Sequence, residues 1–243
     1  MTAPQETASQ QRGRATLRAE SVQTYARIAG VVFLLSFVGG GFGEAYAPSQ
    51  IIVSGDAAAT AHNLLASDAL FRLGFLGYLI EACTDVALTF LLYVLLRPVH
   101  ANLAFLAVLF RLMATATFFV GEVFYFAPSL ILGGDAYLKT FSREQLQALA
   151  QLSFNVYVFV GGFSQVFYGI ASILLGYLMW RSGYLPRVLG VLWVLGGLGF
   201  VASTLVLVLA PASASPLLLV PQILASLSLG IWLLLREIGR AHV

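Results

Sequence analysis

Apolar runs fill the chain after Tyr25, interrupted only by short polar stretches. Six runs, near residues 25–46, 69–97, 101–128, 147–180, 187–210 and 215–236, each supply the ~20 helical residues that cross a ~30 Å hydrocarbon core. Backbone polar groups in lipid must be satisfied within their own segment, so these runs are predicted to be helices. Two of the interruptions carry elements of their own. Ser54-Gly55-Asp56-Ala57 opens a helical stretch through Ala66, where Ser67-Asp68 is placed to cap the second span. Gly133-Gly134-Asp135-Ala136 precedes Ser142-Arg143-Glu144-Gln145, and Ser142 and Gln145 have capping-box spacing. The helix from Glu144 to Arg181 would be ~57 Å long at 1.5 Å per residue, so it should protrude from the bilayer or tilt.

Small residues recur on helical stripes. Gly162, Gly169 and Gly176 are seven apart, as are Gly183, Gly190 and Gly197, and Gly39 and Gly43 form a GxxxG. Stripes of this kind let helix backbones approach closely, which predicts a tight hairpin of spans four and five. The run Gly39-Gly40-Gly41-Phe42-Gly43 is also a place for local unwinding. A weak internal repeat runs through the first four spans. Each pair has a Gly-Asp-Ala linker and ends in Tyr-x-x-x-Arg, at Tyr93/Arg97 and Tyr177/Arg181. Parallel repeats occur in transporters.

Composition narrows the class further. Of 243 residues, 59% are hydrophobic and 10% charged, against roughly 45–50% and about 25% for soluble domains. A water-soluble enzyme, a disordered regulator and a disulfide scaffold are thereby excluded. A net charge of +2 is too small for nucleic-acid binding. The single cysteine, Cys83, lies in an apolar run and is expected to be buried. Nine of thirteen basic residues (Arg12, Arg14, Arg18, Arg27, Arg97, Arg181, Arg187, Arg236, Arg240) fall on one side if both termini are cytoplasmic, leaving Lys139 and Arg143 outside. Ala45-Tyr46-Ala47 resembles a signal-peptidase site, but Glu44, Pro48 and the long polar leader argue that the first helix is retained. The expected fold is all-α: a polytopic transmembrane helical bundle of about six spans, N-in and C-in, over 25–237. Residues 1–24 form a disordered cytoplasmic tail and 238–243 a second tail.

Against this background, Glu44, Glu81, Asp85, Arg111 and Glu122 lie inside predicted spans, with Arg72 at the outer boundary. Intramembrane charges are expensive and normally face the bundle interior. Asp85 is ~18 Å from Arg97 along its helix and Arg111 ~16 Å from His100, so the two should meet across the antiparallel hairpin as an ion pair. Glu44 and Glu81 reach similar levels, ~25 and ~24 Å from Arg27 and Arg97. Arg72 is out of phase with Glu81 and is expected to face outward. One arginine cannot neutralise four carboxylates, so some hold protons, a cation or basic ligand binds, or water fills a polar cavity. A buried network that only fixes helix register is the competing reading. Asn155, Tyr157, Gln165 and Tyr168 of span four are candidates to line the same interior. Arg111→Ala is expected to be more damaging than Arg240→Ala. Among sites outside the cluster, His62, His100 and His242 lie at boundaries or tails, and no HExxH, GxSxG, Walker A or Rossmann pattern occurs. No metal or cofactor is expected, and the sequence leans against an enzyme.

The stretch Leu175-Gly176-Tyr177-Leu178 through Arg181-Ser182-Gly183-Tyr184-Leu185-Pro186-Arg187-Val188-Leu189-Gly190 resembles the signature of a bacterial integral membrane family catalogued as a domain of unknown function. Gly55-Asp56-Ala57-Ala58-Ala59-Thr60, Phe71-Arg72-Leu73-Gly74-Phe75, Leu95-Leu96-Arg97-Pro98-Val99 and Phe110-Arg111-Leu112 are similar to it as well. The resemblance implies about six helices, a place in the bacterial inner membrane and no assigned activity. It makes Arg72 and Arg111 family features, and members carry a His where this chain has Ala171. Three functions are open. One is binding or transport of a small molecule, cation or proton through the Glu/Asp/Arg cluster. The second is a membrane-embedded accessory subunit with a protein partner or a second copy. The third is an intramembrane enzyme acting on lipid.

Overall fold

A computed structural model describes residues 3–236, with side chains from Val22 onward apart from Tyr137. The described residues form helices and no strand. Helix α1 (Ala3–Gly40) continues through a π-helical turn (Gly41–Tyr46) into α2 (Ala47–Ile51); α3 is Ala57–Ala66, α4 Asp68–Leu96, α5 Ala101–Ile131, α6 Arg143–Ser182, α7 Arg187–Leu209 and α8 Val220–Leu235. Six stretches are long and apolar enough to cross a membrane: Val22–Ile51, Asp68–Leu96, Ala101–Ile131, Arg143–Ser182, Arg187–Leu209 and Pro216–Leu235. The chain is thus a multi-pass membrane protein whose spans match the hydropathic runs to within a few residues. Of the two expected tails, residues 238–243 lie outside the described residues, and for 3–21 only the backbone is described.

Each span packs on its neighbours in the chain, and α8 returns to α1, so the spans close a ring in sequence order. The outward faces are apolar, with Val38, Phe90, Phe105, Val158 and Val188 all exposed, as expected where lipid is the solvent. Two buried clusters fill the ends of the ring. At the end bearing the termini, Phe33, Leu92, Leu96, Leu178, Met179, Trp193 and Leu229 pack together, and the Trp193 indole N–H donates to the Ala225 carbonyl at 3.2 Å. At the opposite end, Ile51, Leu64, Phe71, Tyr78, Tyr125 and Phe154 form an aromatic plug.

The predicted α6–α7 hairpin is present and its glycines explain it. A Cβ added at Gly169 would stand 2.6 Å from the Gly197 carbonyl oxygen, and one at Gly176 2.6 Å from that of Gly190. Side chains at either place would force the backbones apart. Gly183, by contrast, is not part of this seam. It ends α6 with φ +74°, a left-handed conformation that glycine adopts without strain. In the turn that follows, the Tyr184 hydroxyl donates to the Leu95 carbonyl. Burial pushes its pKa up to about 12, so it remains a donor at physiological pH.

The linkers behave as their sequences suggest, with one exception. Asp56 caps α3 by accepting from Ala59 N–H at 2.8 Å, and Ser142 and Gln145 close the capping box of α6. Ser67 occupies the N-cap position of α4 but makes no side-chain capping bond. Asp68 instead accepts from Arg72 Nε at 2.8 Å, and both side chains are exposed. The two halves suggested by the repeat share a left-handed glycine in the linker, Gly55 and Gly134. They also share an arginine 5.9 Å from a tyrosine ring at the hairpin end, Arg97 on Tyr93 and Arg181 on Tyr177. Their linkers then diverge into a ten-residue helix and a single 3-10 turn, Ala136–Thr140. Cys83 is exposed, contrary to expectation, because Ala82 and Thr84 on either side of it take the buried positions of α4.

Candidate functional site

The site lies at mid-depth, between the two apolar plugs. It begins with close backbone approach. Gly39 and Gly43 let α1 and its π-helical turn rest on α4, where Cβ atoms would stand 3.0 Å from the Gly77 carbonyl oxygen and 2.9 Å from that of Gly74. The glycine run therefore stays helical, but it widens to π geometry at Gly41–Tyr46 instead of unwinding. Such turns frequently mark functional positions because they re-aim side chains. Here the turn carries Glu44, which faces Glu81 of α4. The matched depths expected for the two acids are therefore seen as a facing pair. Glu81 Oε2 has no donor among the described residues, so an acid faces an acid.

One turn along α4, Asp85 has a different environment. The Arg111 guanidinium of α5 donates from Nη2 to Asp85 Oδ1, forming the expected ion pair. Arg111 Nε donates to Thr89 Oγ1 at 2.9 Å and Nη1 to the Tyr168 hydroxyl at 3.0 Å. The guanidinium carbon also lies 4.7 Å from the centroid of the Tyr168 ring. Thr115 donates to Asp85 Oδ2. The arginine, 1% exposed, thus has an acceptor for each of its three nitrogens, from α4 and α6. Thr89 and Thr115 escaped the sequence reading, although each follows a charged partner by four residues, the spacing that shares a helix face.

Glu81, Asp85 and Glu44 line a cavity of about 570 Å³ with residues from all six spans, among them Ser36, Thr115, Phe118, Phe200 and Gln222. Tyr157, Gln165 and Tyr168 also line it, as candidates from span four. Asn155 does not. It is exposed and accepts from Gln151 Nε2 at 3.2 Å, because a position two residues before Tyr157 lies about 200° round the helix. Arg111 sits behind the wall, and Arg72 is remote and exposed.

Glu122 is also outside the lining, 1% exposed, with neither carboxylate oxygen partnered among the described residues. The Tyr78 and Tyr157 hydroxyls bond to each other at the aromatic plug, where Tyr125 packs on both rings. Tyr78 and Tyr125 were not singled out in the sequence. Their signal is the seven-residue spacing of Phe71 and Tyr78, and of Phe118 and Tyr125, which puts each pair on one stripe. Gln222, near the start of α8, is 2% exposed and lines the cavity. Its Nε2 donates to Ser226 at 3.2 Å and its Oε1 has no donor. Ala171, at the place where the resembling family carries His, is fully buried.

A protein from Archaeoglobus fulgidus described as uncharacterized is 28% identical over 129 residues, which cover 53% of this chain and 64% of that relative. The chain thus spans a little under two thirds of the relative's length. No solved structure matches. A family model described as Domain of unknown function (DUF4386) matches residues 28–236, nearly the whole six-span region, and the chain belongs to that family.

Proposed function

We propose that the protein binds a small cationic ligand in the mid-membrane cavity and transports it in exchange for protons carried by the cavity carboxylates. The observation that carries this reading is a charge imbalance. The cavity of about 570 Å³ is lined by Glu44, Glu81 and Asp85, while the buried guanidinium at that level is already paired with Asp85 and bonded to Thr89 and Tyr168. Its volume is in the range of ligand pockets, and ionisable groups held inside a bundle mark ion and proton pathways. The threading that accompanies this reading puts both termini in the cytoplasm of a bacterial cell, with the protein in the inner membrane. It is supported by Arg97, Arg181 and Arg187 in the loops on the terminal side, against Lys139 and Arg143 on the other.

The test is proton movement in proteoliposomes containing a pH-reporting dye. Vesicles loaded with tetraethylammonium and diluted into buffer without it should acidify inside faster with the protein than without it, as the cation leaves in exchange for protons, and Glu81→Gln should return the rate to that of empty vesicles. Wild-type vesicles as tight as empty ones, with no saturable tetraethylammonium binding, would overturn the reading.

A further inference from the structure

The cavity is not sealed from the side. Three of its lining residues are apolar and exposed: Phe37 of α1 at 42%, Val158 of α6 at 59% and Ile223 of α8 at 44%. Two lining glycines, Gly41 and Gly161, have nothing within 4 Å of where a Cβ would be. Gly41 opens the π-helical turn that continues α1 and Gly161 belongs to α6, two spans that are not neighbours in the ring. Helix α8 should separate them, but it begins only at Val220, three residues before Ile223. The preceding turn, Pro216–Leu219, lies back on α7, where the Leu218 carbonyl oxygen would be 2.2 Å from a Cβ at Gly199. Among the described residues α1 and α6 do not pack on each other, and farther out α3 bridges α2 and α6; the stretch between α3 and Ile223 is the open side of the cavity.

The walls are divided in the same way. Glu44, Glu81 and Asp85 come from the π-helical turn and α4, while α5 to α8 contribute the apolar Phe118, Val158, Phe200 and Ile223 together with neutral polar groups such as Tyr157, Gln165 and Gln222. Behind the acidic side, Glu122 adds a carboxylate that is 1% exposed and unpartnered, and Gln222 offers a buried acceptor without a donor.

Resting on the cation-binding reading above, we infer that the ligand is a single-chain amphipathic amine that enters from the bilayer through the gap beside Gly41 and Gly161. Its ammonium head meets Glu44 and Glu81, its N–H groups supply donors that this end of the cavity lacks, and its tail lies against the aromatic wall and out through the gap. A tail-bearing acid would bring a further negative charge beside the carboxylates and is excluded. A short hydrophilic cation would leave the apolar wall uncovered and would bind more weakly.

The experiment uses the full chain in lipid nanodiscs and a diazirine-bearing dodecylamine as photolabel, with the labelled residues mapped by mass spectrometry. Labelling is expected around Phe37, Val158 and Ile223, displaced by dodecylamine at a concentration at least about tenfold below that needed for ethylamine, and not displaced by laurate. Gly161→Trp, and independently Gly41→Leu from the opposite rim, place a side chain in open space and should suppress labelling in a protein that remains folded. If tetraethylammonium binding and proton flux persist while dodecylamine has no advantage over ethylamine, or both rim variants label like wild type, lateral entry of an amphiphile is wrong and the cation reading survives. If dodecylamine, ethylamine and tetraethylammonium all fail to bind, the cation reading falls with it.

Discussion

Two sets of charged side chains lie on the same stretches of α4 and α5. Around Asp85, every strong group is satisfied: Arg111, Thr115, Thr89 and Tyr168 form a closed knot that ties α4, α5 and α6. Around Glu81, four residues away, carboxylates face carboxylates, and Glu81 Oε2 and both oxygens of Glu122 have no donor among the described residues. A bundle that needed charge only for register would be complete with the knot, since a fully connected network specifies packing and a half-connected one weakens it. The knot is thus the structural part of the cluster. The open set beside it, along the cavity, is the part whose retention calls for a function.

Breaking the knot gives the largest expected effect. Arg111→Ala should destabilise the protein by about 3–5 kcal/mol, the range for removing one member of a buried pair and stranding the other. Thermal unfolding in detergent, followed by tryptophan fluorescence, measures this. Asp85→Ala should be comparably damaging, and the double change Asp85→Leu with Arg111→Met should recover most of the loss. A single-variant effect below about 1 kcal/mol would show that the pair behaves like an exposed one and would remove the contrast between the two sets.

A finer cut is Thr115→Val, which keeps the side-chain shape and deletes the hydroxyl that donates to Asp85. A hydrogen bond to a charged group contributes about 1.5–3 kcal/mol, so the loss should fall below that of Arg111→Ala in the same unfolding assay. If Thr115→Val costs nothing, Asp85 Oδ2 is served by some other donor and the knot is looser than drawn.

How far these sets could be read from the sequence differs in an instructive way. The six spans were legible because lipid imposes one simple rule on length and polarity, and the Asp85–Arg111 pair followed from depth arithmetic across a three-residue turn. Glu44 and Glu81 were placed at one level by the same arithmetic. What the arithmetic could not supply is rotation. Asn155 shares its span with Tyr157, Gln165 and Tyr168, yet it faces out, and Cys83, for all its apolar neighbours in sequence, also faces out. In a span apolar on all sides, hydropathy does not mark the inward face, and only packing against neighbours fixes it. The π turn that aims Glu44 was hidden for a related reason. The glycine run signals close approach or backbone freedom, and the choice between them depends on Gly74 and Gly77 across the interface.

The smallest expected effect tests the open set directly. Glu122→Gln replaces a carboxylate oxygen by an amide nitrogen of nearly the same size. Since neither Glu122 oxygen accepts a hydrogen bond among the described residues, the substitution removes no bond that the fold uses. The unfolding midpoint should not fall, since a buried carboxylate without partners gives way to a neutral amide that is cheaper to bury. Proton flux, however, should fall, because the substitution removes a buried carboxyl group that can hold a proton behind the cavity wall. A loss of stability above about 1 kcal/mol would mean that the carboxylate holds a partner after all, and Glu122 would then belong with the closed knot. Unchanged stability with unchanged flux would leave Glu122 in neither set and confine the functional acids to the two that line the cavity beside Asp85, Glu44 and Glu81.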